Sequence, residues 1–172
     1  MVRKFLLLAM LLLPSTDLAA QAAKGSGPEL INTYRDWNLF VYKDKKGRVC
    51  YVASEPQKME GDYSKRGPAA VLVAKFPIKA PNIQVSVQAG YPYKKQSTVR
   101  MKIDKKTFSL FTDGANAFAR TSEEDKRIIE AMKRGRKMTV RGTSRKGTYS
   151  LDTYSLLGFT KAYRAMLDAC KK

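Results

Sequence analysis

The chain has 172 residues, a length that suits one domain with one sizeable core. Thirty-three Lys and Arg against fifteen Asp and Glu give a formal charge of +18, yet 44% of the residues are hydrophobic, and seven Phe, nine Tyr and one Trp supply ample packing material. That balance excludes a charged disordered tail, and the absence of His excludes Ser-His-Asp and Cys-His catalysis, His-ligated zinc and His-based acid/base chemistry.

Two positive charges, Arg3 and Lys4, precede nine uninterrupted apolar residues from Phe5 to Leu13, and Pro14 ends the run. This order predicts a secretory signal peptide over residues 1–22, with cleavage after Ala22 or close to it in the small-residue stretch 19–23. The apolar run is far short of the ~20 residues that a spanning helix needs, and no later stretch is long enough, so no transmembrane span is expected. No Cys follows the run to carry a lipid. Removing residues 1–22 leaves thirty-one basic and fourteen acidic residues, and both cysteines, Cys50 and Cys170, survive. Two lone thiols in an oxidising compartment are expected to pair. The expected location is periplasmic or secreted, with peripheral attachment to the outer membrane left open.

Residues 23–32 are a small, Gly- and Pro-containing stretch expected to be a flexible lead-in, and residues 33–172 a single β-rich domain. Trp37 to Tyr42 and Arg48 to Ala53, joined by a Gly-containing loop, predict a hairpin. Ala69 to Phe76 is a continuous apolar run closed by Pro77, the pattern of a central strand buried on both faces. Ile83, Val85, Val87 and Ala89 alternate with polar residues, a clear period of two. Val99, Met101 and Ile103 alternate with Arg100 and Lys102, and Thr107 to Phe111 returns after a turn as a second hairpin. Met138 and Val140 alternate with Lys137, Thr139 and Arg141, and Thr148 to Leu156 returns as a third. Seven or eight strands at this spacing predict an antiparallel β-sandwich or barrel.

Two helices interrupt the pattern. Ser122 with Asp125 resembles a capping box, followed by the narrow apolar face of Ile128, Ile129 and Met132 and a stop at Lys133, Arg134 and Gly135. Near the end, Phe159, Ala162, Tyr163, Met166, Leu167 and Cys170 fall on one helical stripe, so Cys170 is expected to face inward. A bond to Cys50 would pin this helix to an early strand.

Several of these residues together resemble the invasion-associated locus B family, exported proteins of alphaproteobacteria named for a role in host-cell invasion. The resemblance is carried by Asp36-Trp37 opening the first strand, by Arg48-Val49-Cys50-Tyr51, and most specifically by the block Asp152-Thr153-Tyr154-Ser155-Leu156-Leu157-Gly158-Phe159 running into a helix that bears Cys170. Many members carry a further Cys a few residues after the Asp-Trp pair, where this chain has Val41. The resemblance implies location and class, and it brings no catalytic residues.

From Ala131 to Leu151 there is no acidic residue, while Lys133, Arg134, Arg136, Lys137, Arg141, Arg145 and Lys146 all fall within it. If Met138 and Val140 face the core, Lys137 and Arg141 face outward, and the same alternation sends Arg100 and Lys102 outward. These nine residues are the candidate polyanion site, for lipopolysaccharide phosphates, anionic lipid headgroups or sulfated glycans, with no specific nucleic acid expected. The competing reading is a set of solvated charges scattered for solubility. Tyr91-Pro92-Tyr93-Lys94-Lys95 is an aromatic and basic turn of the kind that stacks on bases or sugars, although tyrosines at strand ends more often cap a core. Glu55, Glu60 and Asp62 read as a solvated loop. No catalytic residue, metal site or cofactor is expected. The chain therefore reads as an exported, non-catalytic binding protein of the bacterial envelope, engaging anionic envelope or host-surface components. The alternative is a structural envelope protein contacting a membrane-protein partner through its β edges, and a His-free hydrolase using carboxylates ranks last.

Overall fold

The computed structural model describes residues 27–78 and 83–171, so the expected signal peptide lies outside the described residues. Alternation becomes structure first in the three expected hairpins. Trp37–Asp44 (β2) pairs with Gly47–Ser54 (β3), Thr98–Ile103 (β7) with Lys106–Asp113 (β8), and Lys137–Thr143 (β10) with Tyr149–Ser155 (β11). Ala70–Lys75 (β5) and Ile83–Gln88 (β6) join them, together with Glu29–Tyr34 (β1), Lys58–Gly61 (β4) and Asn116–Phe118 (β9). All the pairings are antiparallel, in one eleven-stranded sheet ordered β1-β2-β3-β5-β6-β9-β8-β7-β10-β11-β4.

The mainly antiparallel β class therefore holds, with more strands than the seven or eight expected. The additional ones are β1, whose residues are almost all exposed, and the short β4 and β9, none of which buries enough apolar surface to leave an alternating signature. Residues 29–32, expected as lead-in, belong to β1, and Glu60, expected in a loop, belongs to β4. The sheet is not closed, since β1 and β4 are both edges. It nevertheless curls until its ends approach: the Trp37 indole N–H donates to the Ser155 carbonyl at 3.1 Å, and the Asp36 N–H to the Leu157 carbonyl at 3.4 Å.

One core fills the curl, with Trp37, Met101, Ile128, Met138, Tyr154, Phe159 and Met166 essentially inaccessible to solvent. The strand β5 departs from expectation. Val71 and Val73 are buried, but Leu72 and the flanking positions are only half-buried, so one face meets the core and the other does not.

The helix Ser122–Arg134 (α1) is capped one residue earlier than expected: Thr121, not Ser122, is the N-cap and accepts from the Glu124 N–H at 3.2 Å, while the Glu124 carboxylate accepts from the Arg120 N–H at 2.8 Å. Asp125 is thereby freed from capping, and it is buried. Its carboxylate accepts from the Val85 N–H at 2.8 Å, beyond the stretch of β6 that the short β9 pairs. Here α1 takes over from the ladder and covers the sheet.

The second helix, Phe159–Ala169 (α2), buries Phe159, Ala162, Tyr163 and Met166 against β2 and β3. Phe159 meets Trp37 edge to face at 4.8 Å, and full burial of such a side chain stabilises by roughly 1.5–3 kcal/mol. Cys50 and Cys170 form a disulfide across 120 residues of chain, and Arg48 donates to the Ala169 carbonyl at the helix C-terminus at 3.1 Å.

Candidate functional site

Strand β10 lies between β7 and β11, which settles the arrangement of the basic residues. Its register sets Arg141 opposite Arg100, Thr139 opposite Lys102, Val140 opposite Met101 and Met138 opposite Ile103. The four apolar residues face the core, so Arg100, Lys102, Lys137 and Arg141 share the outer face, and all four are exposed. Directly opposed residues stand with Cβ atoms about 4.5–5.5 Å apart, a separation at which like charges repel.

Few anions offset this face among the described residues. Asp104 is occupied by the backbone N–H groups of Arg136 and Lys137, and Glu60, two strands away on β4, pairs with Lys58 at 2.9 Å. Arg141 instead lies over the Tyr149 ring at 4.7 Å, a cation–π contact that holds its guanidinium along the sheet.

The other five candidates separate from these four. Lys133 pairs with Glu130 at 2.6 Å and covers the Tyr163 ring at 4.6 Å, a contact between the helices. Arg134 is exposed and reaches Glu130 at 3.9 Å, and Arg136 is exposed next to Lys137. Arg145 and Lys146 occupy the loop at the opposite end of β10, with about 20 Å of strand between. The nine residues thus form a central group of four, a neighbouring pair and a remote pair, with Lys133 engaged elsewhere.

The remote pair stands at the mouth of a cleft of about 570 Å³. The chain between β4 and β5 crosses this end of the sheet and carries Arg66 inward, where both terminal guanidinium nitrogens bond both carboxylate oxygens of Asp152 at 2.5 Å. Both side chains are almost fully buried, 4% and 2% exposed. Arg66 also donates to the Ala89 carbonyl at 2.6 Å, and its guanidinium lies over the Tyr63 and Tyr91 rings at 5.3 and 5.2 Å. The carboxylate, its hydrogen bonds and the neighbouring tyrosines hold the guanidinium charged despite its desolvation.

The crossing needs two glycines. Gly90 has φ +74°, and a Cβ there would stand 2.1 Å from the Gly67 carbonyl oxygen, whose residue donates its N–H to the Gly90 carbonyl at 2.9 Å. Of the two tyrosines in the aromatic turn Tyr91 reaches the cleft, with its hydroxyl 2.6 Å from Ser150 Oγ; Tyr93 is buried beneath it, and burial raises its phenol pKa. Sequence reasoning missed Arg66 and Asp152. For Asp152 a signal existed, because alternation with Ser150 and Tyr154 places an acid on the inward side of β11, where a charge requires a partner. Nothing local marks Arg66.

Residues 37–167 match the family model described as Invasion associated locus B (IalB) protein. The chain belongs to this family. It is also similar to the crystal structure of invasion associated protein b from Bartonella henselae, with 18% identity and a TM-score of 0.57 over 86% of this chain and 100% of that one, a likeness of fold. No curated protein matches. Members of the invasion associated locus B family are exported, and the formed disulfide accords with an extracytoplasmic location. Among the described residues no helix is long and apolar enough to cross a membrane.

Proposed function

We propose that this invasion associated locus B protein is an exported, non-catalytic binding protein of the bacterial envelope, directed to the periplasm or beyond by a signal peptide over residues 1–22. Its outer β7–β10 face engages anionic polymers such as lipopolysaccharide or sulfated glycans. The observation that carries this reading is the direct cross-strand opposition of Arg100 and Arg141, two like charges without a salt-bridge partner among the described residues, flanked by Lys102 and Lys137. An arrangement that repels itself is relieved when phosphates or sulfates bridge it, with release of condensed counterions.

Heparin and lipopolysaccharide titrations over a salt series test it. Reversing Arg100, Lys137 and Arg141 to Glu is expected to weaken binding and flatten the salt dependence with little change in thermal stability, since exposed charges contribute little to folding. The control reverses Lys43, Lys45 and Arg164, exposed residues on β2, its turn and α2, for the same change in net charge. Equal weakening by both triples would mean attraction by overall charge and would refute the face.

A second reading, a structural protein contacting a membrane-protein partner, draws on edge strand β1, where Leu30 and Ile31 are 54% and 47% exposed. Capture through that edge would persist in high salt, whereas capture by the basic face would fade.

A further inference from the structure

The cleft at the far end of β10 adjoins the basic face where Arg141 lies over the Tyr149 ring, but it differs from that face in shape and chemistry. Its walls combine three tyrosines, Tyr63, Tyr91 and Tyr149, with three exposed cations, Lys65, Arg145 and Lys146, which outnumber the one exposed carboxylate, Asp62. Its volume of about 570 Å³ falls within the roughly 300–1,000 Å³ of small-molecule sites. Hydroxyl groups of Ser64, Ser144 and Thr148 add donors and acceptors that rotate to suit a ligand, although Ser144 and Thr148 already share a bond of 2.7 Å.

Its floor is preorganised. Arg66 is clamped by Asp152 and the Ala89 carbonyl and contacts the rings of both Tyr63 and Tyr91, while Gly142 is a position where a Cβ would stand 2.4 Å from the Tyr93 ring that supports Tyr91. The rings are therefore held by packing, so little ordering remains to be done on binding.

We infer that this cleft is a separate binding site for one anionic sugar ring, a phosphorylated or sulfated monosaccharide or the corresponding terminal unit of a glycan. The apolar C–H face of a pyranose lies on the tyrosine rings, its hydroxyls meet the serine, threonine and tyrosine hydroxyls, and its phosphate or sulfate meets Lys65, Arg145 and Lys146. A nucleotide shares the need for rings and cations, and it is the competitor that titration separates from a sugar. The cleft and the basic face meet where Arg141 lies over Tyr149, whereas Lys102 and Lys137 lie toward the other end of β7 and β10.

Calorimetric titration of the full mature chain with glucose 6-phosphate and glucosamine 6-sulfate tests it, alongside glucose, inorganic phosphate and adenosine 5′-monophosphate. Physiological ionic strength limits the screening length to about 8 Å, which suppresses attraction by distant charge. Saturable binding of at least one anionic sugar is expected, about tenfold or more tighter than either glucose or phosphate alone. The exposed-residue triple Lys65→Ala, Arg145→Ala and Lys146→Ala is expected to lose that advantage while keeping its melting temperature. The triple Arg100→Glu, Lys102→Glu and Lys137→Glu is expected to retain it, even if polymer binding fails. Four results would overturn the site: no saturable sugar binding, phosphate binding as tightly as the sugar phosphate, the adenosine nucleotide binding tighter than either sugar, or unchanged binding in the cleft triple.

Discussion

Arg66 and Asp152, 86 residues apart in the chain, face each other as a buried two-point ion pair that ties the β4–β5 crossing to β11. Replacing one partner leaves an uncompensated charge in the interior, so Asp152→Asn or Arg66→Ala is expected to cost roughly 3–5 kcal/mol in denaturant unfolding. The double change Arg66→Met and Asp152→Leu is expected to cost far less than either single change, because no charge is left behind. Additive losses would contradict this account.

The disulfide ties the end of α2 to β3. Replacing Cys50 and Cys170 together by Ser is expected to lower stability by about 2–5 kcal/mol. Amide exchange should quicken in α2 before β7 and β10, since the helix is held at that end by the disulfide and by Arg48 on the Ala169 carbonyl. Uniform acceleration over all elements would show that the bond acts through the unfolded chain alone.

Gly158 precedes α2 with φ +91°, and a Cβ there would stand 1.9 Å from the Tyr34 carbonyl oxygen. Gly158→Ala therefore combines backbone strain with a collision against β1 and is expected to cost roughly 3 kcal/mol or more. Gly114, also at positive φ but with nothing within 4 Å, is the control, and Gly114→Ala should cost about 1 kcal/mol. Comparable melting temperatures for the two variants would refute the steric argument.

Burial raises the Asp125 carboxyl above the ordinary aspartate range; the Val85 N–H opposes the shift, and the charge of Glu124 adds to it. A carboxyl whose pKa is higher folded than unfolded binds its proton more tightly in the native state. Its contribution is complete below the unfolded value, near 4, and is lost as pH rises through the raised one. Asp125→Asn cannot ionise. The unfolding free energy of the wild type minus that of the variant is thus expected to fall from about pH 3.5 to pH 7. A difference that rises with pH would reverse the assignment.

Local order was readable wherever burial repeats at a fixed period. Val99, Met101 and Ile103, then Met138 and Val140, announced two strands and the outward side of each, and Phe159 through Met166 announced the last helix together with the inward direction of Cys170. Counting cysteines paired Cys50 with Cys170. Strands that bury little, β1, β4 and β9, carry no such period and became visible only through their hydrogen-bonded neighbours. Which strands lie side by side was likewise decided by tertiary structure: β7 next to β10 places Arg100 against Arg141, although a helix and two strands separate them in the chain. The same holds for Arg66 meeting Asp152, and for the division of the basic segment into a face and a distant cleft rim. Side-chain alternation is dictated by each residue and its immediate neighbours, whereas strand partners and charge pairs are selected by the closure of one shared core, a property of the whole chain.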